Sequence, residues 1–317
     1  MTDRKVFMFP GQGSQEIGMG HDLKDDAFFR SLIELGSDIV HEDLQRLCLR
    51  GPERQLMQAR FLQPSLVAVC LGYLNRLSEY GISPDLVLGH SLGEIASLAA
   101  SGVVEPGVAV TIAAKRGELM DKVASQVEGG MMAVMFMQIE TIEKYIEEMN
   151  EPGRIVLAND NAPGQVVISG DNKLLDKFAE RVNEEKSGKC KRVNVIGPWH
   201  SPFLNDVRYE FEQWAEEIKF QIPLVPMVMN ATAKPETHPT TIKHLVTWQL
   251  TSPVFWRESM DYIRSEGVSA IFEVGPGRVL SGLSRVNGFS KETTVYNINN
   301  LRGVELAASE FAETVAG

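Results

Sequence analysis

The chain has 317 residues and a formal net charge of −11, with 44% hydrophobic and 23% charged residues. This is the composition of a globular protein of one large domain or two, and its acidity argues against non-specific binding of nucleic acid. Three widely spaced cysteines (Cys48, Cys70, Cys190) and the lack of any CxxC, HExxH or zinc-finger spacing argue against a disulfide scaffold or a structural zinc.

The apolar run after Arg4 and Lys5 is only Val6–Pro10, too short for a signal-peptide core. No stretch approaches the roughly 18 apolar residues of a membrane span. A cytoplasmic protein is expected, without repeats or low-complexity segments.

In chain order, Val6–Phe9 reads as a short buried strand ending at Pro10. The glycine-rich stretch that follows, "GQGSQEIGMG", is not a nucleotide loop. Glu16 stands where G-x-G-x-x-G needs its third glycine, and no Gly-Lys-Ser/Thr occurs. Helical periodicity covers most of Phe28 to Tyr80. The turn signal Ser83-Pro84-Asp85 precedes a strand at Leu86–Leu88, and helices are predicted at Gly93–Ala100 and Val108–Val123. Strand, loop, helix, strand in this order predicts an α/β core with a parallel sheet flanked by helices.

The pattern changes after Gly129-Gly130. Strands are predicted at Met131–Met137, Ile155–Ala158, Val166–Ser169 and Cys190–Val195. Helices are predicted at Thr141–Asn150 and Lys173–Val182. The order βαββαβ is ferredoxin-like. Residues 126 to about 199 therefore read as a small α+β domain inserted into a larger one formed by 1–125 and 200–317. Ser201-Pro202 reads as a helix start, with Leu204, Val207, Phe211, Trp214, Ala215 and Ile218 as its buried stripe. Later strands are predicted at Met227–Met229 and Ile271–Val274, the last running into "GPG" and a helix from Val279.

Gly89-His90-Ser91-Leu92-Gly93 is G-x-S-x-G, with a predicted strand before it and a helix after it. That context exposes a serine hydroxyl on a cramped turn, with the Leu92 amide and the helix N-terminus aimed at an oxyanion. A serine nucleophile needs a base. Of the six histidines, His90 should point away, into a packing or hydrogen-bonding role. His200, in "IGPWHSPF", is the better base, and the helix start behind it favours the neutral ring. No carboxylate between Ser91 and His200 stands out to orient that ring. A backbone carbonyl would serve instead.

"FPGQGSQ", "QP" at Gln63-Pro64, "GHSLGE", "KRGELM", "PGQVVISG", "WHSP", "QLTSPVFW" and "EVGPGRVLSGL" follow in order over residues 6 to 284. Together they resemble malonyl-CoA:acyl carrier protein transacylases and the related acyltransferases of polyketide synthases. The resemblance implies a hydrolase-like α/β core with an inserted ferredoxin-like domain. It implies ping-pong transfer of malonyl from malonyl-CoA, through Ser91, to the phosphopantetheine thiol of an acyl carrier protein, without metal or bound cofactor. Ser91 would be the nucleophile and His200 the base. The Gln12 and Leu92 amides would form the oxyanion hole, where a lost donor costs about 3–4 kcal/mol. The main-chain carbonyl of Gln249 would orient His200.

Arg116 would bind the free malonyl carboxylate through two parallel hydrogen bonds that lysine cannot mimic. Gln63 and Gln165 would line the same pocket. Trp199, where the family usually has phenylalanine, would narrow the space for an α-methyl, a distinction worth about 1–3 kcal/mol. Pro198 and Asp160 depart from the commonest family residues. The basic run Lys186, Lys189, Lys191 and Arg192 would suit docking of an acidic carrier protein. Fatty-acid synthesis is the default pathway, with service to a polyketide synthase, or thioester hydrolysis, as alternatives. A monomer is expected.

Overall fold

Short apolar runs become strands buried on both faces, and longer periodic runs become the helices that cover them. The computed structural model describes residues 4–316. It begins with β1 (Lys5–Phe9), then α1 (Ala27–Val40), α2 (Leu44–Arg50), α3 (Glu53–Leu56) and α4 (Ala59–Glu79). Next come β2 (Leu86–Gly89), α5 (Gly93–Ala100) and α6 (Pro106–Ala124). The middle of the chain is β3 (Gly129–Met135), α7 (Ile139–Glu148), β4 (Ile155–Ala162), β5 (Gln165–Asp171), α8 (Asn172–Glu184) and β6 (Lys189–Arg192). It is followed by α9 (Asn205–Ala215), β7 (Met227–Val228), β8 (Pro235–Glu236), α10 (Pro239–Trp248), β9 (Val254–Phe255) and α11 (Trp256–Ser265). The chain ends with β10 (Ala270–Val274), α12 (Val279–Val286), β11 (Thr294–Ile298) and α13 (Leu301–Ala316).

Two sheets result. The first has the order β11-β10-β1-β2-β7-β8. Its first five strands run parallel, and β8 closes one edge antiparallel to β7. The alternation of β1 shows why its run is apolar throughout. Phe7 and Phe9 enter the core made with α1, α4 and α6, while Val6 and Met8 enter a second cluster with Trp256, Met260 and Ile271. A parallel strand covered on both faces needs both sets. The second sheet has the order β6-β3-β5-β4-β9 and is antiparallel except for β9, which joins β4 in parallel. Its own core includes Val134, Ile142, Ile168, Leu175 and Phe178. Among the described residues, no helix is long and apolar enough to cross a membrane.

Three backbone segments meet where β1, β2 and α5 converge. A Cβ placed on Gly93 would lie 1.9 Å from the Phe9 carbonyl oxygen, and one on Gly89 would lie 1.9 Å from the Gly93 carbonyl carbon. These glycines are there for close approach, which the loop around Ser91 requires.

Two expectations change. Ser201 stands at the N-cap position with Pro202 at N1, as expected, but its side chain makes no cap bond: its buried hydroxyl donates to the Pro198 carbonyl at 2.5 Å. A 3-10 turn, Pro202–Leu204, then leads into α9. The strand expected at Cys190–Val195 is β6, Lys189–Arg192; Val193 and Val195 continue into the wall of the central cavity.

Replacing Gly93 with alanine should overpack this junction and cost about 3 kcal/mol or more of stability. Equilibrium urea unfolding of Gly93→Ala checks it, and a wild-type midpoint would contradict the contact.

Candidate active site

The site begins with the backbone of Ser91. The residue sits between the end of β2 and the start of α5 with φ of 50°. This left-handed conformation is sparsely populated for a side-chain-bearing residue and costs about 1–3 kcal/mol unless its surroundings hold it. They do so here through distant side chains. The Ser91 amide donates to Asn230 Oδ1 at 2.7 Å, and the Ser91 carbonyl accepts from Gln249 Nε2 at 2.9 Å. The hydroxyl is thereby aimed at His200, with Oγ and Nε2 2.7 Å apart.

His200 is buried, 3% exposed. Its Nδ1 lies 2.9 Å from the Gln249 carbonyl and 3.1 Å from that of Ser252. Carbonyls only accept, so Nδ1 carries the ring proton and Nε2 is left to accept one from Ser91. Among the described residues, no carboxylate is hydrogen-bonded to the ring. Burial first, and the Arg116 charge second, push its pKa down to about 3. The helix start expected behind His200 is present as a 3-10 turn, Pro202–Leu204, that runs into α9.

Arg116 projects from α6 and is 1% exposed. Its Nη1 donates to Gln63 Oε1 at 2.9 Å and lies 3.1 Å from Met120 Sδ. Its Nη2 donates to Gln249 Oε1 at 2.9 Å and reaches Ser91 Oγ at 3.3 Å. Its Nε has no partner among the described residues. Burial lowers the guanidinium pKa to about 10, opposed by Glu94. Glu94 is itself fully buried and raised to about 7, chiefly by burial. It touches Arg116 only through Gln249, whose Nε2 donates to Glu94 Oε2 at 2.8 Å. A cation beside the nucleophile, with an unused donor and no carboxylate in contact, is suited to receive an anionic ligand.

The glycine-rich loop lies against this turn. A Cβ on Gly11 would fall 2.4 Å from the His90 carbonyl oxygen, so only glycine lets the loop approach. Among the described residues, the amides of Gln12 and Leu92 donate to no acceptor. Beside them is a cavity of about 200 Å³ that includes Gln12, Ser91 and His200. Its apolar wall includes Met131, Val167, Val193, Val195 and Trp199, with Met120 from α6 and Val279, Leu280 and Leu283 from α12. Trp199 is 4% exposed, and its ring stacks so close to Gly197 that a Cβ there would meet it at 2.5 Å.

The other expected residues are distributed as follows. Gln63 stands behind Arg116, fully buried, as its hydrogen-bond partner. Gln165 is displaced from the expected pocket. It shares a face of β5 with Val167 but lies closer to the hairpin turn at Pro163-Gly164, outside the cavity wall. Asp160 is buried in a salt bridge with Arg257. The His90 ring turns to Asn161 Oδ1 at 2.8 Å and lies near Trp256. In the basic run, Lys189 and Arg192 are exposed on β6, but Arg192 is engaged by Asn172 and Asp176.

Two residues escaped the sequence reading. Glu94 stands inside the quoted motif "GHSLGE" with no role assigned to it. Asn230 follows the two-residue strand β7, and no motif or periodicity marks it.

Comparison with known proteins points the same way. The signature of the acyl transferase domain family matches residues 6–294. The malonyl CoA-acyl carrier protein transacylase of Bacillus subtilis (strain 168) is 33% identical over 310 residues, 97% of this chain and 97% of that protein. A polyketide biosynthesis malonyl CoA-acyl carrier protein transacylase of the same organism, PksC, is 36% identical over 282 residues, covering 88% and 95%. The solved structure of the malonyl CoA-acyl carrier protein transacylase of Coxiella burnetii superposes with a TM-score of 0.91 at 28% identity, covering 97% of each chain. A type II polyketide acyl-carrier protein solved in complex with its malonyl-transacylase gives 0.90 at 29% identity, covering 97% and 99%.

A base held near pKa 3 stays neutral through the mildly acidic range. Labelling of Ser91 by a fluorophosphonate should therefore keep most of its pH 7 rate at about pH 5, where an ordinary histidine would cost roughly thirty-fold. Arg116→Ala removes the second largest of the three depressing causes and should move the acid limb upward. A profile with a midpoint near pH 6.5 in the wild type would contradict the assignment of cause.

Proposed function

The chain belongs to the acyl transferase domain family. From that premise we propose that it moves the malonyl group of malonyl-CoA to the phosphopantetheine thiol of an acyl carrier protein. The observation that carries this reading is the buried, carboxylate-free guanidinium of Arg116 3.3 Å from the nucleophile hydroxyl. An esterase for neutral acyl groups has no use for a cation there, whereas the malonyl carboxylate replaces the lost water around it.

The steps follow from the hydrogen bonds. Ser91 Oγ attacks the thioester carbonyl while His200 Nε2 takes its proton. The imidazolium is steadied by the Gln249 and Ser252 carbonyls at Nδ1. Charge develops on the carbonyl oxygen, within reach of the unused Gln12 and Leu92 amides. The tetrahedral intermediate collapses, the C–S bond breaks, and His200 protonates the departing thiolate of CoA. Malonyl-Ser91 remains, its carboxylate on Arg116. The thiol of the carrier protein then repeats these events in reverse, with His200 as base to the thiol. The bound carboxylate offsets the Arg116 charge that depresses His200, so the base strengthens when the correct acyl group is present.

In this reading residues 126–199 form a ferredoxin-like domain inserted into a hydrolase-like core of 1–125 and 200–317. The strand order β6-β3-β5-β4 and the βαββαβ connectivity support it. The reaction needs no metal or bound cofactor. Trp199 and the valines beside it narrow the room around the acyl α-carbon, favouring malonyl over its methyl homologue. The exposed basic run from Lys186 to Lys191 offers a docking surface to an acidic carrier, and the protein acts in the cytoplasm as a monomer. The same transfer serves fatty-acid and polyketide lines.

Intact-mass measurement after brief mixing with malonyl-CoA should show a malonyl adduct absent from Ser91→Ala, which passes to added carrier protein. Loss of the adduct to water alone would make the protein a hydrolase. Arg116→Ala should lower malonyl transfer by about a hundred-fold or more while tolerating acetyl-CoA, since a charge-assisted pair is removed. Unchanged malonyl transfer in that variant would overturn the role of Arg116.

A further inference from the structure

We propose that Asn230 is a positioning residue for acyl transfer, its side-chain amide bracing the turn that presents the Ser91 hydroxyl. The inference rests on Ser91 being the nucleophile, and on no particular acyl group.

The side chain spans the two peptide groups on either side of His90. Asn230 Nδ2 donates to the Gly89 carbonyl at 2.6 Å, and Oδ1 accepts from the Ser91 amide at 2.7 Å. The orientation of the amide is fixed by these partners, because a carbonyl only accepts and an amide N–H only donates. The main chain of Asn230 is held as firmly. Its N–H donates to Glu94 Oε2 at 3.1 Å, and its carbonyl accepts from the Phe255 amide at 2.9 Å. All four hydrogen-bonding groups of a residue 2% exposed are thus engaged.

The brace answers a specific need. With φ of 50°, Ser91 has left the conformation in which neighbouring main chain would satisfy its amide. Truncating Asn230 would remove the side-chain partner of that amide and of the buried Gly89 carbonyl, a loss the turn relieves by moving. Movement there carries Oγ away from His200 Nε2, now 2.7 Å distant, and from Arg116. Asn230 does not line the cavity, so it acts through Ser91 and not on the substrate.

An aspartate at this position provides a readout that a general packing defect would not imitate. Protonated, it presents one oxygen to the Ser91 amide and an O–H to the Gly89 carbonyl, restoring both bonds. Ionised, it sets a charged oxygen against that carbonyl. The charged and titratable groups around it are Glu94 from α5, which accepts from its main-chain N–H, Arg116 and His200 beyond Gln249 and Ser91, His90 between the two braced peptides, and the Asp160–Arg257 ion pair behind Phe255. Burial and Glu94 favour the protonated form, Arg116 the ionised one.

The experiment measures the rate of Ser91 labelling by a fluorophosphonate, which needs only a reactive serine, in wild type, Asn230→Ala and Asn230→Asp between about pH 5.5 and pH 8. Malonyl-CoA acylation is measured alongside. Asn230→Ala, folded by circular dichroism, should label about 10- to 100-fold more slowly, with its KM for malonyl-CoA nearly unchanged. Asn230→Asp should match it at the alkaline end and recover about ten-fold or more, relative to wild type, at the acid end. A flat Asn230→Asp to wild-type ratio, or wild-type labelling by a folded Asn230→Ala, overturns the proposal. If Asn230→Ala does not fold, the Asn230→Asp profile decides alone. A wild type that labels but takes no malonyl would count against the malonyl reading and leave this test intact.

Discussion

Arg116 brings a positive charge into an interior where no carboxylate oxygen touches it, and much of the site is arranged around that fact. The charge is answered at one remove. Gln249 accepts from the guanidinium with its side-chain oxygen and passes its side-chain N–H groups to Glu94 and to the Ser91 carbonyl. Its main-chain carbonyl meanwhile accepts from His200. One glutamine therefore links the cation, the buried acid, the nucleophile's main chain and the base. A direct Arg–Glu pair would satisfy the charge better, but it would leave the guanidinium no reason to take up a ligand carboxylate. The indirect pair keeps the cation under-compensated until an anion arrives.

The glycines matter for the same economy of space. Gly11 lies on the His90 carbonyl, and Gly89 and Gly93 are pressed together where β1, β2 and α5 converge. Main-chain amides can be brought to a reacting carbonyl only if the segments bearing them approach more closely than side chains allow. In the glycine-rich stretch only Gly11 serves this close approach; Gly13 and Gly18 have open space around them and take φ values of 107° and 101° that side chains rarely adopt.

Much of this was legible in the sequence where chemistry and local pattern coincide. The strand-turn-helix around Ser91 is written in Leu86–Leu88, two glycines and the helical run after them, and α5 occupies the predicted residues Gly93–Ala100. Ser91, His200 and Arg116 are brought together as the motifs imply. The signal fails where pairing is non-local. β8 and β9 have two residues each, too few for any periodicity, yet β9 joins the second sheet; β7 is predicted at Met227–Met229 and found at Met227–Val228, but nothing in that run announces what Asn230 beyond it does. Asn230 reaches the Ser91 turn across 139 residues of chain, and only the fold shows that contact. The start at Ser201-Pro202 is legible, but not that the Ser201 hydroxyl turns to the Pro198 carbonyl. The motif around Gln165 gives its neighbours in sequence and not its distance along β5 from the cavity.

The second sheet gives the cavity Met131 and Val167, while Ser91, Arg116 and Gln249 all belong to segments outside it. The rest of the wall comes from the reactive segments themselves: Val195 and Trp199 lead into His200, and Met120 stands one turn along α6 from Arg116. A change at Trp199 or Met120 therefore alters shape and reactivity together. A change at Met131 or Val167 can reshape what fits without touching the hydrogen bonds of Ser91.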